Sequence, residues 1–119
     1  MQPINLQQKF ALIGEYWSPK IVAALNGQQV KLAKLRGEFV WHRHEEEDEL
    51  FLVVKGKLCI EFRDHEAWLR PGELLVVSKG VEHKPVAEEE VHVLLFEPAS
   101  TLNTGNQQSE RTVENPEWI

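Results

Sequence analysis

Cysteine is all but absent from this chain. Cys59 is the only one, so no internal disulfide can form, and the bridged framework of a small secreted scaffold is excluded. Cys59 lies in an apolar, strand-like stretch. A buried, inert thiol is expected there, because reactive thiols need an electropositive and accessible setting. Long apolar runs are missing as well: 50–54 and 91–96 are among the longest, far below the length of a spanning helix, so no membrane span is expected. Positive charge is scarce, with 13 Lys and Arg against 19 Asp and Glu and a formal net charge of -6. A nucleic-acid surface needs the opposite balance to neutralise phosphates. The stretch 1–9 has no basic region followed by an apolar core, so it does not read as a secretory signal. With no disulfide framework, the cytoplasm is the expected compartment.

What is present is ordinary for a folded protein: 119 residues, 42% hydrophobic and 27% charged. That length predicts one domain, 1–119, around a single core. Asn5 is a plausible cap for a short N-terminal helix in which Leu6, Phe10 and Ile13 recur at helical spacing, giving a helical segment 5–13. The pair Asn26-Gly27 between two β-prone runs, 20–25 and 28–35, predicts a hairpin.

Turn residues then recur at short intervals and separate the strand-length runs 49–54, 58–62, 67–69, 73–77 and 91–96. This pattern predicts an antiparallel sandwich or small barrel with its core over about 18–98. The run 50–54 is apolar on both faces, so something must cover its outer side. After Pro98 the chain becomes polar and aperiodic, and 99–119 reads as a loop or tail.

The chemistry is concentrated in Gly37 to Gly56. His42 and His44 stand one residue apart, so on an extended strand both imidazoles leave the same face and can reach one point. Glu49 opens the next apolar run and can turn toward that point. His83, in Gly80-Val81-Glu82-His83, is a fourth candidate ligand. Trp41 and Arg43 alternate with the two histidines and are expected on the opposite face as packing and surface groups. Glu45, Glu46 and Glu47 read as a solvated loop, His65 as a surface residue, and Trp68 and Phe51 as core candidates, with Phe51 sharing the parity of Glu49. His92 alternates with Val91 and Val93 and reads first as a packing or surface residue, with the barrel cavity as the other option.

This arrangement resembles the cupin superfamily. Gly37, His42, His44, Glu49 and Gly56 match its first motif, except that four residues rather than five separate Gly37 from His42. Gly72, Gly80 and His83 match the second, with Ser78 where proline is usual and Ala87 where asparagine is usual. Asp48 also satisfies the shorter spacing from His44, but six residues separate Glu49 from Gly56, which makes Glu49 the better match. The resemblance implies an all-β, double-stranded β-helix (jelly-roll) barrel and a metal site formed by His42, His44, Glu49 and His83.

Three imidazoles and one carboxylate suit a divalent transition ion such as Fe, Mn, Ni, Cu or Zn. In a six-coordinate ion they leave two positions for water or substrate. Cupins with such ligands include dioxygenases, isomerases, decarboxylases and lyases, and also non-catalytic binding or sensing proteins. The expected readings are therefore a metal-dependent small-molecule dioxygenase or other enzyme, a small-molecule binding or sensing module, or a metal-dependent sugar isomerase-like protein. Small one-domain cupins often pair, and together with the two-sided apolarity of 50–54 this leads to the expectation of a homodimer.

Overall fold

A computed structural model describes all 119 residues. After a short helix, α1 (Leu6–Phe10), come seven strands: β1 (Lys20–Leu25), β2 (Gln28–Glu38), β3 (Glu49–Lys55), β4 (Leu58–Phe62), β5 (Glu66–Leu69), β6 (Leu74–Val77) and β7 (His83–Pro98). Asn5 caps α1 by accepting from Gln8 N at 2.9 Å. The helix itself stops at Phe10, and Ile13 is buried in the turn that follows. No helix is long and apolar enough to cross a membrane.

The β1–β2 hairpin turns on Asn26 and Gly27, both at positive φ (51° and 77°). That is the signature of a two-residue turn whose twist matches the flanking strands. All pairing between the seven strands is antiparallel, and one sheet runs in the order β1-β2-β7-β3-β6. The long strand β7 organises the rest. Its C-terminal half lies between β2 and β3, while its first residues, His83 to Val86, pair with β4, which in turn pairs with β5. The resulting wall curves round to enclose an interior, in agreement with the all-β barrel expected from the strand pattern.

β7 begins eight residues earlier than the apolar run 91–96 implies. Pro85 and the exposed Glu88 and Glu89 interrupt the hydrophobic pattern without ending the strand. The bend they create lies against Gly56, where a Cβ would stand 2.7 Å from Glu90 O, so only glycine fits.

Two apolar clusters hold the chain together. The larger fills the barrel with residues such as Leu35, Val53, Leu58, Ile60, Val91 and Val93. The smaller lies outside the sheet, where Phe10 and Ile13 pack on Val22 and Leu32, with Val54, Leu94 and Ile119 at its edge. The N-terminal segment therefore covers one end of the two-sided run of β3. Leu50 and Leu52 remain half-buried, and the edge strand β6 leaves Leu74 and Val76 exposed.

Trp68 departs from the expectation of a core residue. It is exposed on β5, with Lys57 Nζ 5.0 Å from its ring centroid and its indole N–H donating to Glu66. On the short outer strand β5 its position alternates with that of Leu69, which takes the inward face. His92 packs outside the barrel, stacked on Phe10 at 4.6 Å and bonded to Glu90 at 2.7 Å. His65 is exposed and bonds Asp64.

The tail 99–119 is ordered against the barrel. Ile119 N donates to Ile21 O, Trp118 bridges Ile21, and Asn106 grips the backbone of Arg43 on both sides, donating from N to Arg43 O at 3.0 Å and accepting from Arg43 N at 2.8 Å.

Candidate metal centre

The local structure explains why four polar side chains converge. His42 precedes β3 in an irregular stretch, and its backbone exchanges two hydrogen bonds with His83 at the start of β7 (3.0 and 2.9 Å). A directly opposed antiparallel pair places both side chains on the same face, here the barrel interior. His44 follows two residues later on the same side, and Glu49 enters from the first position of β3. All four are buried, and one candidate ligand atom from each lies within 4.8 Å of all the others. The ring centroids of His42 and His83 are 4.3 Å apart, and those of His42 and His44 are 5.0 Å apart. Arg43 lies outside, paired with Glu45. Trp41 faces away too, under the guanidinium of Arg63 at 3.8 Å.

Two of the imidazoles have a fixed tautomer. His42 Nδ1–H donates to Val40 O and His83 Nδ1–H to Val81 O, each at 2.9 Å. Their Nε2 lone pairs are left to face the cluster, the orientation in which a histidine ligates a metal. Burial and the neighbouring His83 push the His42 imidazole down to about 4, against weaker opposing effects of Val40 O and Glu49. It is neutral near pH 7 and its lone pair is free. Burial alone would raise the Glu49 carboxyl. The Glu97 carboxyl, His44 and His83 beside it outweigh that and hold it well below the usual range.

A metal ion fits this donor set for a reason visible in the side chains themselves. His44 Nδ1 and Nε2, Glu49 Oε1 and His83 Nε2 are all buried without a hydrogen-bond partner. Glu49 Oε1 lies 3.3 Å from His44 Nε2 and 3.5 Å from His83 Nε2. A buried polar atom left unpaired costs about 1–3 kcal/mol, and several in one place are rare in a native interior. A divalent ion would complete them together. The cluster thus fits a metal-binding site.

A second pair of charges lies in the same interior. Lys31 and Glu97, both buried, meet at 2.9 Å, and Lys31 Nζ also donates to Thr101 O at 3.3 Å. The register Leu50↔Phe96 and Phe51↔Leu95 brings Glu97 opposite Glu49. Burial and the Glu49 charge raise the Glu97 carboxyl well above its usual range, against the pull of Lys31. Sequence reasoning missed this pair. Its signal was the parity of Lys31 with the inward Ala33 and Leu35, masked because the alternate residues Val30 and Leu32 are apolar too.

Beside the ligands lies a cavity of about 40 Å³, room for one or two waters. His42 and Glu49 form one end, Leu35, Phe51, Val93 and Leu95 are among its walls, and Trp17, Phe39 and Asn103 complete it. Apart from the two ligands, no titratable side chain lines it. Phe51 takes the wall position its parity with Glu49 allows.

Comparison with known proteins agrees with this description. Residues 27–97 match the family model of the cupin domain. The uncharacterized protein YdbB of Bacillus subtilis is 41% identical over 64 residues, which cover 53% of this chain and 57% of that protein. Among solved structures, a cupin-2 domain containing protein from Shewanella frigidimarina shares 49% identity with a TM-score of 0.79, covering 80% of this chain and 93% of its own. Protein NMB1881 from Neisseria meningitidis shares 37% identity with a TM-score of 0.75, covering 82% of this chain and 100% of its own.

Proposed function

This chain belongs to the cupin domain family, and on that premise we propose that His42, His44, Glu49 and His83 hold one divalent transition metal that serves a small-molecule oxidoreductase of the dioxygenase type. The orphaned, buried nitrogen and oxygen atoms of the cluster carry the metal part of this reading. The reaction class is supported by the cavity wall. An isomerase or decarboxylase needs an acid or base beside the substrate, whereas here only the ligand residues His42 and Glu49 can titrate. A redox-active ion such as iron, copper or nickel would supply the electron-transfer chemistry. The residues of the chain hold it, keep water out with apolar walls and orient what enters.

The scarcity of catalytic groups also favours a second reading, a metal-holding module that binds a small molecule without turnover. Elemental analysis of untagged protein should find about one metal ion per chain. Oxygen uptake by iron-, nickel- and copper-loaded protein with chelating diketone and enediol substrates separates the readings: uptake supports the oxidoreductase, and its absence across the set leaves binding alone.

The same reading includes a homodimer, supported by the apolar outer face of Leu50, Leu52, Leu74 and Val76. Light scattering should return about twice 13.8 kDa; a mass near that single value refutes the pairing. A cytoplasmic location is part of it too, supported by the one free, buried cysteine.

A further inference from the structure

The C-terminal segment, which lines the cavity at Asn103, carries a cation without an anion. Asn103 closes this segment on itself, donating from Nδ2 to Arg111 O and accepting from Val113 N, both at 2.8 Å. The closed loop sets the Arg111 guanidinium 5.7 Å from the ring centroid of Trp17 and 5.9 Å from that of Phe39, the two aromatic walls of the cavity. Arg43 and Arg63 each pair with a carboxylate, and Lys31 does so in the interior. Arg111 pairs with none, and its Nη1 is buried with no hydrogen-bond partner. Contact with a ring face attracts the guanidinium but satisfies no N–H.

The wall beneath it is strained. Trp17 has φ of 61°, a left-handed conformation that bulky residues rarely adopt. Two hydrogen bonds hold it there, from its N to Lys34 O at 2.9 Å and from its indole N–H to Arg36 O at 2.8 Å. They press the indole flat on Phe39, with centroids 4.7 Å apart and planes inclined by 15°. Strain of this kind collects at ligand clamps.

Taken together, the cavity has ligating groups at His42 and Glu49, apolar walls, and an unpaired guanidinium in contact with its aromatic residues Trp17 and Phe39. We propose that it binds a small carboxylate of acetate size, matched to its volume of about 40 Å³, the carboxylate paired with Arg111 and the apolar end toward His42 and Glu49. A planar carboxylate matches the guanidinium fork and takes up the unpartnered N–H. The acidic loop does not oppose it: Glu45 is held by Arg43 and Glu47 by Ser100, and neither lines the cavity. This assignment names a substrate class for the proposed metal site and rests on that reading only for what meets the inner end.

The test compares acetate with acetamide, which have the same shape but differ in charge, by calorimetry on zinc-loaded and on metal-free protein. Wild type should prefer the acid by about tenfold, the size of one charge-assisted hydrogen bond, and Arg111→Gln should lose that preference. The substitution removes the guanidinium and leaves the backbone oxygen that Asn103 grips, so the loop stays closed. The indole N–H resonance of Trp17, followed during titration of the wild type, reads the same site without a variant and should shift with the acid. Equal affinity for the two probes, binding of neither, or a preference that survives Arg111→Gln overturns the proposal. Metal content measured on the same samples keeps the two readings apart. Protein that takes up no metal yet prefers the acid through Arg111 refutes the metal reading alone, and metal-loaded protein with no preference refutes the acid site alone.

Discussion

Two groups of charged side chains share the barrel interior, and they are completed to different degrees. Lys31 and Glu97 face each other at 2.9 Å, and the backbone oxygen of Thr101 takes a further proton of the ammonium. The group of His42, His44, Glu49 and His83 leaves four of its polar atoms without a hydrogen-bond partner. Both are equally dry. Glu97 Oε2 is also left without a hydrogen-bond partner, so the contrast is one of degree: the chain supplies a partner for Lys31 and for one oxygen of Glu97, whereas four atoms of the cluster are left for a group from outside it.

The largest effect should come from breaking the pair. Lys31→Met strands Glu97 beside the ionised Glu49, and losing one partner of a buried ion pair costs about 3–5 kcal/mol. Urea unfolding measures this, and Glu49→Gln in metal-free protein should lose less; equal losses would erase the contrast. Next comes completion of the cluster. Zinc at about 100 times its Kd should add about 2.7 kcal/mol of stability, read as a rise in melting temperature, and Glu49→Gln or His83→Asn should abolish the rise. A smaller effect is expected at Gly105, where a Cβ would stand 2.3 Å from Arg43 O and 3.1 Å from the His42 ring. Gly105→Ala should cost about 1–3 kcal/mol, as overpacking does, and weaken zinc binding by displacing His42.

The smallest effect provides the control. Cys59, Glu61 and Glu66 also gather metal-ligating atoms, on β4 and β5. There, however, the thiol contacts Glu66 at 3.7 Å, and burial and the Glu66 charge push it up to about 11. A protonated thiol is a poor ligand, so Cys59→Ser should leave the metal content unchanged by elemental analysis.

The four converging residues were legible in the sequence because two histidines one residue apart and a pair of glycine-framed motifs are local features, even though His42 and His44 lie in an irregular stretch and not on a strand. His42 and His44 share a face whatever surrounds them, and the Asn26-Gly27 turn follows from two positive φ angles that few other pairs accept. Lys31 was not legible: the outer face of β2 is covered by Phe10 and Ile13, so both faces of that strand are buried and alternation loses its meaning. The first half of β7 was hidden by Pro85 and the acidic bend, since pairing with β4 holds the strand where hydrophobicity does not. The order of the C-terminal segment rests on hydrogen bonds of Asn103 and Thr104 within the segment and of Asn106 to the distant Arg43, and such bonds leave no period in a sequence. Trp68 shows the reverse error, an apolar side chain that a lysine ammonium and a carboxylate accommodate at the surface.

The reach of β7 bears on how the molecule comes into being. Strands β1 and β2, β3 and β6, and β4 and β5 pair without it, but β2, β3 and β4 are joined to one another only through β7. During synthesis three separate antiparallel pairs must therefore wait, apolar faces open, until residues 83–98 have left the ribosome. Contacts so distant along the chain fold on the millisecond-to-second scale. The closing step also carries His83 to the other three ligands, so the metal site and the closed barrel form in the same event.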